Sequence, residues 1–122
     1  MYKVNINKEE KSFSSKDAVI EFSKKFLRGE MWLSNDQTEL CILKNTTRIY
    51  VMLLTESSSS TLFDNKVNTE TEYMEEFTLS NGQVDEFNRK DTLPVSNMQN
   101  VITSYLENKL LNDFNYESNE ID

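Results

Sequence analysis

The sequence contains no histidine, one cysteine, one proline and two glycines in 122 residues. Without histidine, the chain lacks the commonest general base and the commonest metal ligand of proteins. A single cysteine excludes disulfide frameworks, zinc sites made of several thiolates, and paired redox thiols. Gly29 and Gly82 are too few for a glycine-rich phosphate loop. We therefore expect a protein that is not an enzyme, with no catalytic residues, no metal and no cofactor.

Long apolar runs are also missing. The longest run, Ile49 to Leu54, has the length of a strand and is too short to cross a membrane. The first eight residues, MYKVNINK, have neither the apolar stretch nor the cleavage site of a secretory signal. Because the chain has one thiol and no such signal, we expect it to be cytoplasmic and not to bind membranes.

Charge is plentiful and unevenly placed. The chain has 13 basic and 21 acidic residues, a net charge of −8. Residues 1–30 carry a net +2, and residues 31–122 carry −10. This field repels nucleic-acid phosphates and anionic lipids, whereas it attracts a basic protein. Acidity is also common in chains that have no such partner, and a merely solvated surface is the alternative interpretation.

Periodicity in the first third predicts a strand followed by a helix. Tyr2 to Ile6 alternates in polarity as a short strand does. Ser14 or Ser15 can cap a helix over about residues 15–28, and Gly29 stands where a terminating glycine belongs.

The middle of the chain reads as successive strands. Arg48 to Thr55 is the strongest strand signal. The serine run that starts at Ser57 predicts a long loop extending to about Asn68. Tyr73 to Leu79 alternates as a strand does, and Asn81-Gly82 then favours a tight hairpin turn with a returning strand.

The last third predicts a second helix and a tail. Ser96 and Gln99 have the spacing of a capping box ahead of an apolar stripe at helical period. The polar segment 112–122 is expected to fray.

These patterns together predict one α+β domain over residues 1–122. We expect an antiparallel β-sheet of four to six strands, with two amphipathic helices packed on one face and the other face open. The predicted core consists of Val19, Phe22, Phe26, Met98, Val101, Ile102, Tyr105, Ile49, Val51, Leu53, Phe77 and Leu79.

Carboxylates cluster around the predicted hairpin, and they are the side chains of this sequence best suited to catalysis or to binding. Paired carboxylates can catalyse acid–base reactions, but they need a cleft, and nothing in the sequence indicates one. We instead assign them to a partner-binding surface, in which Met74 supplies an apolar contact. A solvated sheet face is the alternative. The assigned residues are Glu70, Glu72, Met74, Glu76, Asp85 and Glu86.

Cys41 lies in the apolar segment Leu40-Cys41-Ile42-Leu43. A cysteine in such a strand is usually a small core residue. A nucleophilic role would need an activating base, and the chain has no histidine to provide it.

One arrangement of segments resembles a known family. A helix ending in Leu27-Arg28-Gly29-Glu30, a hairpin-rich middle with Phe77 to Gln83, and Pro94-Val95 before a closing helix look like the immunity proteins of bacterial polymorphic-toxin and contact-dependent growth inhibition systems. The resemblance implies a cytoplasmic protein that binds one cognate toxin domain tightly and blocks it. Many such toxins are nucleases with basic active-site surfaces, which an acidic partner suits.

The resulting hypothesis is a non-enzymatic immunity protein that neutralises a basic, nuclease-type toxin through an acidic surface. A second hypothesis is a phage-type acidic mimic of nucleic acid, or an inhibitor of a host protein. A third is a small adaptor that binds peptides at a sheet edge.

Overall fold

The fold is α+β with antiparallel strand pairing, as the sequence predicts. The structure is a computed structural model that describes residues 1–67 and 73–120. Its strands and helices are, in chain order, β1 (Tyr2–Ile6), β2 (Glu9–Phe13), α1 (Lys16–Ser23), β3 (Gly29–Ser34), β4 (Glu39–Lys44), β5 (Arg48–Leu54), β6 (Ser58–Leu62), β7 (Met74–Thr78), β8 (Val84–Asn88), β9 (Leu93–Pro94), α2 (Met98–Leu106), α3 (Leu110–Asp113) and β10 (Tyr116–Glu120).

The main sheet has eight strands, so the expected four to six was wrong. Seven of them lie in the order β10-β6-β5-β4-β3-β1-β2, and the short β9 also pairs with β5. β7 and β8 form a separate two-stranded hairpin. The unexpected strands β2, β6 and β10 have the sequences EEKSF, SSSTL and YESNE. Such charged or serine-rich segments lack the apolar alternation by which a strand is recognised.

Alternation along the central strands divides their side chains between the two faces of the sheet. Ile49, Val51 and Leu53 of β5 belong to a large apolar cluster that includes side chains of α1 and α2. We call this the helix face. Its buried residues are Val4, Val19, Phe22, Phe26, Met31, Leu33, Leu40, Ile42, Ile49, Val51, Leu53, Leu62, Leu93, Met98, Val101, Ile102, Tyr105, Leu106 and Leu110.

The opposite face, which we call the hairpin face, is covered by the β7–β8 hairpin. Cys41, Leu43 and Phe77 are buried there. Phe87 of β8 stacks on Tyr50 of β5 with 3.9 Å between ring centroids. The expectation of an open face was therefore wrong. Phe77 and Leu79, which were expected under the helices, instead pack against this second cluster.

The first helix begins as predicted but ends early. Ser15 caps it, since its Oγ accepts a hydrogen bond from the Ala18 amide at 3.1 Å. The helix stops at Ser23, and the amide of Phe26 then bonds the Ser23 carbonyl in a tight turn. Phe26 enters the core from this turn. Residues 24–28, which were expected to complete the helix, lie beyond it.

Gly29 opens β3 rather than closing the helix, and the turn between β1 and β2 explains why glycine stands there. Asn7 and Lys8 form that turn with φ angles of 49° and 77°. The Asn7 side chain donates to the Arg28 carbonyl at 2.8 Å and accepts from the Glu30 amide at 2.9 Å. Any Cβ at Gly29, whose φ is +110°, would overlap the Asn7 amide.

The last third also differs from expectation. α2 begins at Met98 after a short 3₁₀ turn, and Asn97, not Ser96, stands before it without a side-chain cap. Of the segment 112–122 that was expected to fray, residues 112–120 contain the end of α3 and the strand β10, which pairs with β6. The last two residues lie outside the described part of the chain. The serine run expected as a loop is β6 itself, which lies between β5 and β10.

Candidate functional site

The β7–β8 hairpin is closed by a three-residue loop, Ser80 to Gly82. The Leu79 amide donates to the Gln83 carbonyl at 2.7 Å, and the Gly82 amide donates to the Leu79 carbonyl at 3.0 Å. Gly82 has φ +88°, a conformation that glycine adopts at little cost. The Asn81-Gly82 pair thus predicted the hairpin correctly, although of the two residues only Gly82 takes a positive φ.

The two sides of the hairpin have opposite character. Phe77 and Phe87 face the sheet and pack in the second cluster. The opposite side carries Met74 at one end of the ladder, opposite Asn88, and Val84 at the other end, opposite Thr78. Their side chains are 51% and 52% exposed. Apolar side chains exposed on the same side as charged groups give a partner apolar area to bury.

Two carboxylates stand directly opposite each other on this exposed side. Glu76 of β7 pairs with Glu86 of β8, and both are exposed. Hydrogen-bonded pairs alternate with non-hydrogen-bonded pairs along an antiparallel ladder, and the bond between Leu79 and Gln83 makes the 76–86 pair non-hydrogen-bonded. Side chains approach most closely in such pairs, and like charges directly opposite destabilise a hairpin.

The predicted partner-binding residues therefore divide into three groups. Met74, Glu76 and Glu86 lie together on the exposed side of the hairpin, which we call the outer face. Asp85 pairs with Phe77 and lies on the side that faces the sheet, half-buried. Glu70 and Glu72 lie outside the residues that the structure describes.

The prediction from sequence left out one exposed apolar member of the outer face, Val84, which is the first residue of β8. Tyr73, which precedes β7, is also exposed, but it has the strand parity of Phe77. The sequence could have predicted the position of Val84. The hairpin register places Val84 opposite Thr78, and Thr78 lies on the same side of β7 as Met74 and Glu76.

Glu30 of β3 attaches the hairpin loop to the sheet. Its Oε1 accepts from the Ser80 amide at 2.9 Å and from the Ser80 hydroxyl at 3.0 Å, and its Oε2 accepts from the Trp32 indole at 2.6 Å. Burial by itself raises the pKa of Glu30, but these hydrogen bonds and the charge of Lys8 outweigh it and hold the pKa below its usual value. The carboxylate is thus ionised and fully engaged at neutral pH.

A second polar contact holds the other end of β7. The Asn45 side-chain amide donates to the Glu76 carbonyl at 3.0 Å and to a Glu75 carboxylate oxygen at 3.3 Å. Arg89 pairs with the same Glu75 side chain at 3.4 Å. Glu75 therefore serves the attachment of the hairpin and is not available to a partner.

A buried ion pair fixes the base of the hairpin. Arg48 of β5 is 5% exposed, and its Nη2 lies 3.2 Å from Asp64 Oδ2. The same guanidinium donates to the Thr92 hydroxyl and carbonyl, both at 2.8 Å. The Asp64 amide in turn bonds the Lys90 carbonyl at 2.7 Å. No sequence pattern predicts this pair, because Arg48 stands out only as the first residue of an apolar run.

Cys41 is 4% exposed and lies beneath the hairpin, in agreement with a core role. Burial, with smaller contributions from Glu30 and Glu39, raises the pKa of its thiol to about 12. The thiol is therefore protonated at physiological pH, and a thiolate nucleophile does not form.

A cavity of about 570 Å³ lies between the segment after β6 and the segment after α3. Its two carboxylates are already engaged, since Asp64 pairs with Arg48 and Asp113 accepts from the Ser104 hydroxyl at 2.6 Å. Across residues 1–67 and 73–120, no three side chains are grouped as a metal site would require. No helix among those residues is both long and apolar enough to span a bilayer.

No protein-family model matches the sequence, and no curated protein matches it at a significant level. The candidate site therefore stands on its own geometry.

Proposed function

We propose that this chain is a non-enzymatic immunity protein that neutralises a basic, nuclease-type toxin domain by binding it with the outer face of the β7–β8 hairpin. The observation that carries the proposal is the pair Glu76 and Glu86, held directly opposite each other and exposed. Among the described residues, neither carboxylate forms an ion pair.

The energetics favour a cationic partner. The hairpin register forces the two carboxylates together, so a positive charge placed between them relieves a repulsion as well as forming new contacts. Met74 and Val84 flank the pair and supply apolar area that a partner would bury. Apolar anchors beside desolvated charges are the usual composition of an energetic centre in an interface.

The proposed mechanism is occlusion. The acidic outer face occupies the surface on which a nuclease would hold a phosphate backbone, which is a site rich in lysine and arginine. In this proposal the two helices lie on the opposite face of the sheet and leave the hairpin free to project. The protein acts in the cytoplasm, where such a toxin would reach its nucleic acid.

The test is the affinity of the purified chain for the toxin domain encoded next to its own reading frame, measured at low and high salt. The decisive variant is Glu76→Lys/Glu86→Lys. The matched control is Glu9→Lys/Glu10→Lys on β2, which changes net charge equally at exposed positions of another strand. We expect the hairpin variant to lose at least about tenfold in affinity and most of its salt dependence, and the control to lose little.

Equal losses in the two variants would show that general charge, rather than the outer face, drives binding. Full affinity of a correctly folded hairpin variant would place the interface elsewhere. Hydrolysis of nucleic acid or peptide by the purified chain, abolished by a single carboxylate substitution, would replace inhibition with catalysis.

A further inference from the structure

The two long edges of the hairpin differ in how their backbone groups are used. In an antiparallel pair, residues of non-hydrogen-bonded pairs direct their N–H and C=O groups outward. The register places Met74, Glu76 and Thr78 in this position on β7, and Val84, Glu86 and Asn88 on β8. Each strand therefore presents a row of donors and acceptors along its outer edge.

The β7 edge is turned toward the main sheet and is partly occupied. The Glu76 carbonyl accepts the hydrogen bond from Asn45, which lies at the turn between β4 and β5. Within the part of the chain that the structure describes, the outward backbone groups of Val84 and Glu86 have no hydrogen-bond partner. Both residues are exposed, so water has access to this edge.

An open strand edge is a template for another strand, and natural proteins usually block it with charged side chains, lysine above all, with proline or with a bulge. β8 has neither lysine nor proline along the sequence VDEFN. It carries Asp85 and Glu86 instead, which point to opposite sides of the hairpin. A strand added here would have carboxylates on both of its faces.

We infer that the β8 edge binds an extended, cationic segment of the partner as an added strand, which makes the hairpin a three-stranded sheet. This inference rests on the proposed function and specifies how the partner is held. Backbone hydrogen bonds would supply affinity that is independent of side chains, and the carboxylates would select lysine or arginine at the positions beside them. Val84 would select an apolar residue on the outer face.

The probe is a synthetic nine-residue peptide of three Lys-Lys-Val repeats with blocked ends, a pattern that can place lysine beside both Asp85 and Glu86 and valine beside Val84. Hydrogen exchange of individual amides, measured by NMR with and without the peptide, reads out the added strand. We expect exchange at Val84 and Glu86 to slow at least about tenfold on binding. Asp85 and Phe87, whose amides already pair with β7, should change little. The control peptide has the same sequence with alternate backbone nitrogens methylated, and we expect no protection from it.

A variant pair separates backbone from side-chain recognition. Glu86→Pro removes an outward N–H without removing a ladder hydrogen bond, because Glu86 does not donate to β7. Glu86→Gln removes the charge alone. We expect the proline variant to bind the peptide at least about tenfold more weakly than the glutamine variant, while both keep the hairpin ladder protected.

Each of the other possible results would overturn strand addition at the β8 edge. Protection of β2 or β10 instead of β8 would overturn the assignment of the edge. Shifts at Met74 and Glu76 without amide protection would overturn strand addition but would leave the outer face as the binding surface. Absence of peptide binding would also overturn strand addition, whereas the proposed function would still be judged by the toxin affinity of the Glu76→Lys/Glu86→Lys variant.

Discussion

The helix face and the hairpin face are made from alternate residues of the same strands, yet they differ in what holds them together. On the helix face, nineteen of the described residues form one buried apolar cluster. On the hairpin face, three buried residues form the cluster, and polar contacts from Glu30, Asn45 and Arg89 complete the attachment. Apolar burial gives the first face most of the stability, whereas the second face positions a projecting surface.

This difference implies two levels of cooperativity. A segment with few buried apolar contacts opens locally at a lower free energy than the whole domain. The hairpin should therefore detach from the sheet before the sheet unfolds. A binding surface on such an element can adjust to a partner without loss of the main core.

Phe26 and Phe77 offer the sharpest test, because both are 1% exposed and they lie on different faces. We expect Phe26→Ala to lower the free energy of global unfolding by about 3–5 kcal/mol. Phe77→Ala removes the same side chain but should chiefly release the hairpin, so global unfolding should change less. Denaturant melts measure the free energy of global unfolding, and hydrogen exchange of β7 and β8 amides measures the free energy of local opening of the hairpin. Equal loss of global stability in the two variants would make the domain a single cooperative unit.

The ion pair between Arg48 and Asp64 connects β5 of the main sheet to the segment that follows the hairpin. Asp64→Ala leaves a buried guanidinium without its counter-charge, and we expect a loss of about 3 kcal/mol. The double variant Arg48→Met/Asp64→Leu removes both charges and should recover much of that loss. A single variant as stable as the native chain in thermal and denaturant melts would show that water screens the pair.

Glu30 should make the attachment of the hairpin sensitive to acid. Its pKa is lowered in the folded protein, so its contribution is complete above the ordinary glutamate pKa of about 4.3 and is lost as pH falls through the lower folded value. Glu30→Gln should cost about 1–2 kcal/mol and remove this part of the pH dependence. Trp32 is the chain's one tryptophan and donates to Glu30, so its fluorescence between pH 6 and pH 3 is the measurement. An identical pH profile for the native chain and Glu30→Gln would contradict the prediction.

The smallest expected effect is the rare opening of the hairpin in the native protein. Alkylation of Cys41, which lies beneath the hairpin, measures it. The raised pKa and the burial of this thiol predict very slow alkylation in the native protein at pH 8. Labelling should accelerate in Phe77→Ala well below the denaturant midpoint, but not in Phe26→Ala at matched stability. Mass spectrometry of the alkylated chain follows both. Equal labelling rates would mean that the thiol becomes accessible only through global unfolding.

Sequence predicted the parts of this fold whose local pattern agrees with their tertiary environment. The apolar run of β5 and the stripe of α2 are buried as expected, and Asn81-Gly82 marked the hairpin. The strands β2, β6 and β10 were not predicted, because they lie at edges of the sheet or beside other polar strands. Hydrophobic alternation is not required at such positions.

The candidate site was predictable only in part, for a related reason. Parity along β7 correctly grouped Met74 with Glu76, but the position of Asp85 depends on the register set by the loop at Gly82. Which face of the sheet receives Phe77 depends on where the whole hairpin lies, and no local pattern encodes that. The Arg48–Asp64 pair joins residues 16 positions apart, and no local sequence pattern predicts a contact over that separation.

The serine-rich sequence of β6 has a consequence for synthesis on the ribosome. β6 is complete at Leu62, but its outer neighbour β10 begins only at Tyr116. At roughly 5–20 residues per second, β6 presents an unpaired edge for several seconds while the intervening chain is made. An apolar strand exposed for that time would be prone to pair with other nascent chains. Three serines and a threonine in five residues make this strand less prone to such pairing than an apolar one, so we expect the run that was predicted as a loop to lower the risk of aggregation during translation.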